Sequence, residues 1–192
     1  MATTFFIQIV MIKRTHNITK TALFAAIISI SAYLRIPISP VPLTLQSVAV
    51  LIAGYSLGAK YGAFSTILYT AIGLAGLPVF ASGGGLSYIF LPTFGYIIGF
   101  TFCAFITGYL SRFNLKGSIL KAYLIMLAGL VGIYIPGITW FIISLNWIAD
   151  IPPNIVSIIK VSLLIPLAGD LLTTIPAAIV AVKIKKNISR KG

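Results

Sequence analysis

The residue best suited to chemistry is Asp170, which lies in the apolar run "IPLAGDLLTT" and is one of only two acidic residues in the chain. A carboxylate inside a long apolar run is costly to bury. Such acids usually face the interior of a helix bundle and belong to a ligand or ion path. We predict that Asp170 contacts a ligand or ion, with pairing to another helix as the purely structural alternative.

The neighbours of Asp170 suggest how a ligand could reach it. Pro166 and Gly169 are expected to loosen the helix and expose carbonyl groups near the carboxylate, although a plain proline kink is the alternative. Lys160 lies about 15 Å earlier on the same helix, where a cation at a pocket rim would suit an anionic substrate. A lysine whose amine reaches the membrane surface explains Lys160 equally well, and Arg35 has the same two interpretations.

Metal and thiol chemistry lack the residues they need. The chain has one cysteine, Cys103, and one histidine, His16, so it contains neither an internal disulfide nor a cysteine-based metal cluster. The Gly83–Gly85 run is not followed by the lysine of a phosphate-binding loop. We predict no metal site, no catalytic residue and no bound cofactor.

Composition identifies the class of protein. Of the 192 residues, 59% are hydrophobic and 8% are charged, and the mean hydropathy is +1.08, which is typical of an integral membrane protein. The net charge of +12 lacks the basic and aromatic repeats of nucleic-acid binding. We predict an all-α membrane protein in contact with lipid and not with nucleic acid.

Apolar runs broken by Pro, Gly or basic clusters predict six transmembrane helices in a single domain, 1–192. The first residues, "MATTFFIQIVMI", lack a signal-peptide pattern, so 1–17 is interpreted as an interfacial lead-in, with Met11 as an alternative start. The predicted spans are 18–35, 44–57, 61–78, 92–111, 119–146 and 156–182.

Basic residues predict the orientation of these spans, because cytoplasmic loops collect Lys and Arg. With both termini in the cytoplasm, only Arg35 and Lys160 fall on the outer side. The other twelve face the cytoplasm: Lys13, Arg14, Lys20, Lys60, Arg112, Lys116, Lys121, Lys183, Lys185, Lys186, Arg190 and Lys191.

Three irregular loops fall on the predicted outer side: "RIPISPVPLTLQ", "LPVFASGGGLSYIFLP" and "NWIADIPPN". Irregular backbone at membrane depth is tolerated only where protein buries it or a cavity hydrates it. We therefore predict an outward-facing pocket covered by these loops.

A face of small residues runs along the first predicted helix. Ala22, Ala26, Ser29 and Tyr33 fall on one side at the helical period, and small residues at this spacing let helices approach closely. This face either packs inside the protein or contacts a partner.

The segments "PVPLTLQ", "AGLPVFASGGGLSYIFLPTFGYIIGF" and "AGDLL" resemble the BioY family, the biotin-binding S components of energy-coupling factor (ECF) vitamin transporters. The resemblance implies six helices, an outward-facing biotin site under the first loop, and docking on a membrane coupling subunit served by two cytoplasmic ATPases. It also implies a bacterial cell membrane and assigns Ala22, Ala26 and Ser29 to docking.

The resemblance further implies biotin contacts. Asp170 accepts from the ureido N–H groups, Gln46, Thr44 or Asn146 meets the ureido oxygen, and Trp140 and Tyr88 pack on the rings. The family's Gly-Asp-x-x-Lys pattern has no lysine here, so Thr173, Lys160 or Arg35 must take its role if any residue does. Pro37, Pro40 and Pro42 would pre-shape the first loop as a lid.

Three functions are compatible with these features. The leading one is a biotin-binding and translocating subunit without its own ATPase, since the chain has no nucleotide-binding motif. The alternative is a self-sufficient proton-coupled transporter in which Asp170 carries the proton, although no inverted repeat is evident. An intramembrane enzyme is the remote third.

Overall fold

Helices make up most of the chain in the computed structural model, which describes residues 2–36, 41–148 and 155–190. Single 3-10 turns cover Leu86–Phe90 and Ser111–Phe113, and a two-stranded ribbon pairs β1 (Arg35–Ile36) with β2 (Leu43–Thr44). The helices are α1 (Ala2–Ser31), α2 (Gln46–Leu74), α3 (Phe94–Leu110), α4 (Ile119–Ile143), α5 (Ile155–Ile159) and α6 (Ile165–Arg190).

Helix α2 reverses direction at Gly58, whose φ of 81° and ψ of 173° belong to a region that glycine alone adopts readily. The side-chain amide of Gln46 lies 2.6 Å from the Tyr69 hydroxyl, although a continuous helix would hold these residues about 34 Å apart. A Cβ on Gly62 would lie 2.7 Å from the Cα of Gly54. The two arms of α2 therefore run side by side through glycine contacts.

Helix α3 occupies the centre of the bundle, between α2 and α4. A Cβ on Gly99 would lie 2.7 Å from the Ile133 backbone, and one on Gly132 would lie 2.8 Å from the Cys103 nitrogen. Lipid offers apolar side chains as good an environment as protein does. Close backbone approach at small residues therefore supplies much of the packing energy in membranes.

Three helical segments in the described ranges are long and apolar enough to cross a membrane: Phe94–Phe113, Ile119–Asn146 and Lys160–Ile188. Each arm of α2 is shorter than the roughly 20 residues of a full span. The described structure is thus that of a helical membrane protein. The six spans and the cytoplasmic termini stay predictions.

The chain before α6 contains a π-helical turn at Lys160–Leu164. Pro166 cannot donate a backbone hydrogen bond, and its ring displaces the carbonyl four residues earlier, which belongs to Ser162. That freed carbonyl accepts the Tyr96 hydroxyl at 2.5 Å. The loosened helix predicted near Asp170 is therefore tied to α3 by a polar contact.

The three consecutive glycines between α2 and α3 serve two needs. Gly83 and Gly85 have positive φ angles of 115° and 103°, which favour glycine. Gly84 has no room for a side chain, because its Cβ would collide with the Leu77 carbonyl. This segment pairs with itself between Phe80 and Gly83, so the run forms a close-packed turn.

Candidate ligand-binding site

A cavity of about 70 Å³ lies where the first loop, the glycine-rich segment and helices α2, α3, α4 and α6 meet. Its polar lining comes mainly from α2, α4 and α6, and its apolar lining comes from the loop, α3 and α4. The lining residues are Val41, Pro42, Leu43, Thr44, Gln46, Ser47, Ala81, Tyr88, Thr93, Tyr96, Ile97, Phe100, Ile133, Tyr134, Pro166 and Asp170.

Asp170 is the acidic group of this cavity. Its carboxylate accepts the Ser47 hydroxyl at 2.5 Å and the Tyr134 hydroxyl at 2.6 Å. Hydrogen bonds to a carboxylate are shorter and stronger than neutral ones. Asp170 therefore joins α6 to the start of α2 and to the middle of α4, and its remaining lone pairs are available to a ligand.

Gln46 and Thr44 form the second polar group. The buried Gln46 amide donates to the Tyr69 hydroxyl at 2.6 Å, and its side-chain oxygen lies 3.3 Å from the Thr44 hydroxyl. Because Tyr69 comes from the second arm of α2 and Thr44 from β2, this chain of contacts fixes the first loop against the second arm of α2. The group presents neutral donors and acceptors beside the Asp170 carboxylate.

An aromatic wall limits the cavity on the side of α3 and the glycine-rich segment. Tyr88 is buried and packs on Phe80, with ring centroids 4.5 Å apart, and Phe80 meets Tyr69 edge to face at 5.3 Å. Tyr96 meets Tyr134 edge to face at 6.3 Å. These contacts hold the rings in fixed orientations, which suits recognition of a rigid, flat or cyclic ligand.

Five sequence-predicted site residues do not line this cavity. The Trp140 indole donates to the Leu91 carbonyl at 3.2 Å, and the Thr173 hydroxyl donates to the Gly169 carbonyl of its own helix at 3.0 Å. Asn146 and Lys160 are exposed. The exposed Arg35 donates to the carbonyl of Ala81, which lines the cavity, but Arg35 itself does not line it.

Sequence reasoning did not select Ser47 and Tyr134, the two donors to Asp170. Serine and tyrosine are common in apolar helices, and neither carries a charge that would single it out. A signal exists for each: Ser47 follows Gln46 directly at the start of α2, and Tyr134 precedes Pro136 and Gly137 in α4. The predicted residues at the cavity are Thr44, Gln46, Tyr88 and Asp170.

The small-residue face of α1 points away from the bundle at Ala22 and Ala26. Ala25 and Ile28 are buried against the other helices, whereas Ala22 and Ala26 are exposed and Ser29 is half-buried. The Ser29 hydroxyl is used within α1, where it donates to the Ala25 carbonyl at 2.9 Å.

The cavity combines one carboxylate with hydroxyl and amide groups and apolar walls. Among the described residues that line it, none is Lys or Arg. A ligand with N–H donors at one end and an apolar body fits this arrangement, because a desolvated carboxylate needs donors. Prolines 37 and 40 of the predicted lid, and the loop at 149–154, lie outside the described residues.

Comparison with known proteins decides the family, since the BioY family model matches residues 3–190. The chain belongs to the BioY family. A probable biotin transporter BioY of Lysinibacillus sphaericus is 34% identical over 173 residues, covering 90% of this chain and 88% of that protein. The biotin transporter BioY of Thermotoga maritima is 36% identical, covering 89% and 96%.

A solved structure agrees with this fold. The crystal structure of the S component for biotin from an ECF-type ABC transporter matches with a TM-score of 0.77 and 28% identity, covering 91% of this chain and 93% of that one. The resemblance to BioY inferred from sequence is thereby confirmed. So is the location in the cell membrane, where BioY transporters reside.

Proposed function

We propose that this chain is the biotin-binding S component of an ECF-type vitamin transporter, and that biotin binds in the Asp170 cavity. The observation that carries the proposal is the Asp170 carboxylate, held by Ser47 and Tyr134 at one end of an apolar-walled cavity in a BioY protein. A buried carboxylate with lone pairs to spare matches a ligand with paired N–H donors.

The chemistry of biotin suits this cavity. Its ureido ring has two N–H donors, which Asp170 accepts, and a carbonyl oxygen, which lies within reach of Thr44 or Gln46. The apolar thiophane ring packs against Tyr88 and Phe100. The valerate carboxylate then points toward the mouth, where Arg35, Lys160 and Thr173 stay candidate partners that lie outside the cavity lining.

Binding in this position requires the first loop to move. The cavity of about 70 Å³ is smaller than the roughly 300 Å³ at the low end of ligand pockets. Segment 41–44 lines the cavity. Its Leu43 side chain packs against Gly169 of α6, so closely that a Cβ on Gly169 would lie 3.2 Å from it. We infer that this segment swings outward to admit biotin and closes over it, with the prolines limiting the ordering entropy.

Energy for uptake comes from partner proteins in this proposal. The sequence has no nucleotide-binding motif, so a membrane coupling subunit with two cytoplasmic ATPases supplies the work. Ala22, Ala26 and Ser29 on α1 are the proposed contact with the coupling subunit, because close helix docking needs small residues on an exposed face.

Calorimetric titration of the purified chain in detergent with biotin, and separately with thiamine, tests the substrate. We expect biotin alone to bind. Ser47→Ala removes a donor to Asp170 and should weaken biotin about tenfold or more. Thr139→Val is the control, because the exposed Thr139 hydroxyl donates to the Ile135 carbonyl of its own helix and does not line the cavity. It should change affinity less than about twofold.

The proposal fails if thiamine binds and biotin does not. The proposed site is wrong if biotin binds equally tightly to wild type, Ser47→Ala and Thr139→Val, because the ligand would then lie elsewhere. Biotin uptake by liposomes that contain only this chain, driven by a proton gradient, would instead support the self-sufficient transporter.

A further inference from the structure

A second and larger cavity lies at the other end of the bundle. Its volume is about 450 Å³, and the residues that define its chemistry are Tyr55, Asn114, Lys116, Val182, Lys185 and Lys186. Lys185 follows Asp170 by 15 residues on α6, or about 22 Å of helix. The two cavities are therefore separate, and this one lies at the end that the basic residues predict to be cytoplasmic.

Three lysines line this cavity: Lys116, Lys185 and Lys186. The Lys185 ammonium donates to the Ser111 carbonyl at 2.6 Å and lies 3.1 Å from the Ser111 hydroxyl. It also lies 4.9 Å from the centre of the Tyr55 ring. Within residues 2–36, 41–148 and 155–190 the single carboxylate side chain is Asp170, so this part of the chain supplies no anion to the lysines.

A neutral donor adds to the lysines. The Tyr55 hydroxyl accepts the Asn114 side-chain amide at 2.6 Å, and that amide also donates to the Ser118 carbonyl at 2.7 Å. The Asn114 amide is thereby fully used. The proton of Tyr55 remains available to an oxygen in the cavity, beside Lys185. One buried donor and three ammonium groups converge on the same space, which suits a phosphate.

The rim of the cavity favours a lipid over a soluble anion. Leu115 is 92% exposed and lines the cavity, and Phe113 and Leu120, which are close to it in the sequence, are 61% and 68% exposed. Apolar side chains at such a position suit acyl chains, while the exposed Lys116 and Lys186 suit an anionic headgroup. Basic pockets between helices at the cytoplasmic surface bind anionic headgroups.

We propose that this cavity binds the phosphate headgroup of an anionic phospholipid, with Lys116 and Lys186 at the entrance and Lys185 with Tyr55 at the base. The acyl chains lie along Leu115 and Leu120. The site is independent of biotin binding and of the proposed transport function, because it shares no residue with the Asp170 cavity.

Lipid binding to the delipidated chain, measured by native mass spectrometry with phosphatidylglycerol and phosphatidylcholine of identical acyl chains, tests the proposal. The wild type should prefer phosphatidylglycerol. Lys116→Gln with Lys186→Gln should reduce that preference by at least about fivefold, since one lysine near a headgroup is worth about that much. Lys60→Gln with Lys121→Gln is the control, because both lysines are exposed and lie outside the cavity.

Three results would overturn the proposal. If the Lys116→Gln/Lys186→Gln variant and the Lys60→Gln/Lys121→Gln control lose the same amount of lipid preference, that preference comes from general surface charge. Displacement of phosphatidylglycerol by an equal concentration of glycerol 3-phosphate would indicate a soluble anion. If the Lys116→Gln/Lys186→Gln variant keeps its lipid preference but no longer copurifies with the coupling subunit, the lysines bind an acidic protein segment instead.

Tyr55→Phe should weaken the binding of phosphatidylglycerol while leaving Lys185 in place.

Discussion

Helices α3 and α6 have opposite environments. In the most apolar stretch of Phe94–Phe113, 61% of the residues are buried inside the protein, against 22% for Lys160–Ile188. Helix α3 lies between α2 and α4 at glycine contacts, whereas α6 exposes large residues such as Leu172 and buries mainly its alanines. The contrast indicates that packing stability resides in the centre, while the acidic group sits on the peripheral helix.

Polar contacts join these two regions around the cavity. Asp170 of α6 accepts from Ser47 and Tyr134, and Tyr96 of α3 donates to the Ser162 carbonyl before α6. A peripheral helix with few buried large side chains can shift with less loss of packing than a central one. We therefore expect α6, rather than α3, to move when the cavity changes shape.

The largest expected effect comes from overpacking the centre. Gly99→Leu places atoms where the Ile133 backbone lies within 2.7 Å of the Cβ, and backbone cannot yield as a side chain can. We expect a loss of about 3 kcal/mol or more in the free energy of unfolding, or no folded protein. The midpoint of thermal unfolding in detergent measures this.

Gly169→Leu is the matched change on α6. Its Cβ meets the end of the Leu43 side chain at 3.2 Å, which can move aside, so the cost should stay near about 1 kcal/mol. Equal unfolding midpoints for the two variants would remove the distinction between a rigid centre and a peripheral α6.

The next effect concerns the acid itself. Asp170→Leu removes both acceptor oxygens and should weaken biotin by on the order of 2–3 kcal/mol, whereas Asp170→Asn keeps one acceptor and should lose less. Calorimetry on the three proteins gives the ranking. The same affinity in all three would place Asp170 outside the binding site.

A smaller effect on biotin affinity is expected from Gly137 of α4, which packs against Tyr96 of α3 in the cavity wall. A Cβ at Gly137 would lie 2.6 Å from the Tyr96 ring, so Gly137→Ala should push that ring toward the ligand and weaken biotin by about 1 kcal/mol. A double-mutant cycle with Tyr96→Leu checks the route, because the alanine should have little effect once the ring is gone. Additive losses would mean that Gly137 acts in another way.

The smallest effect on affinity is expected on α1. Ala22→Trp with Ala26→Trp changes exposed residues far from the cavity, so biotin affinity should stay within about 1 kcal/mol of wild type. Copurification with the coupling module and ATP-driven uptake should both be lost. Leu23→Trp with Ile27→Trp on the adjoining exposed face is the control. Normal transport by the first pair would move the docking site elsewhere.

The sequence was most informative about the site where burying a residue costs free energy. Asp170 stood out because a carboxylate is rare in an apolar run, whereas Thr44 and Gln46 were selected through the resemblance of the chain to the BioY family. Ser47 and Tyr134 could not be found in this way. Their roles depend on which face of α2 and of α4 meets α6, and that depends on packing between elements far apart in sequence.

Position along the chain gives the level of an aromatic or amide group in the bundle, but not the direction in which its side chain points. Trp140 and Asn146 lie near the end of α4 that faces the loops, but the Trp140 indole donates to Leu91, and Asn146 is exposed. Residues at one level of a bundle can point in any direction around a helix. Level follows from counting residues, whereas direction follows from the neighbouring helices.

The reversal at Gly58 sets which way the rest of the chain faces. A continuous α2 of 29 residues would be about 43 Å long, and every segment after Leu74 would then be inverted end for end relative to α1. Arg112 and Lys116 would exchange sides with the glycine-rich segment, against the preference of basic loops for the cytoplasm. The backbone conformation at Gly58 and the orientation predicted from the basic residues are therefore consistent with each other.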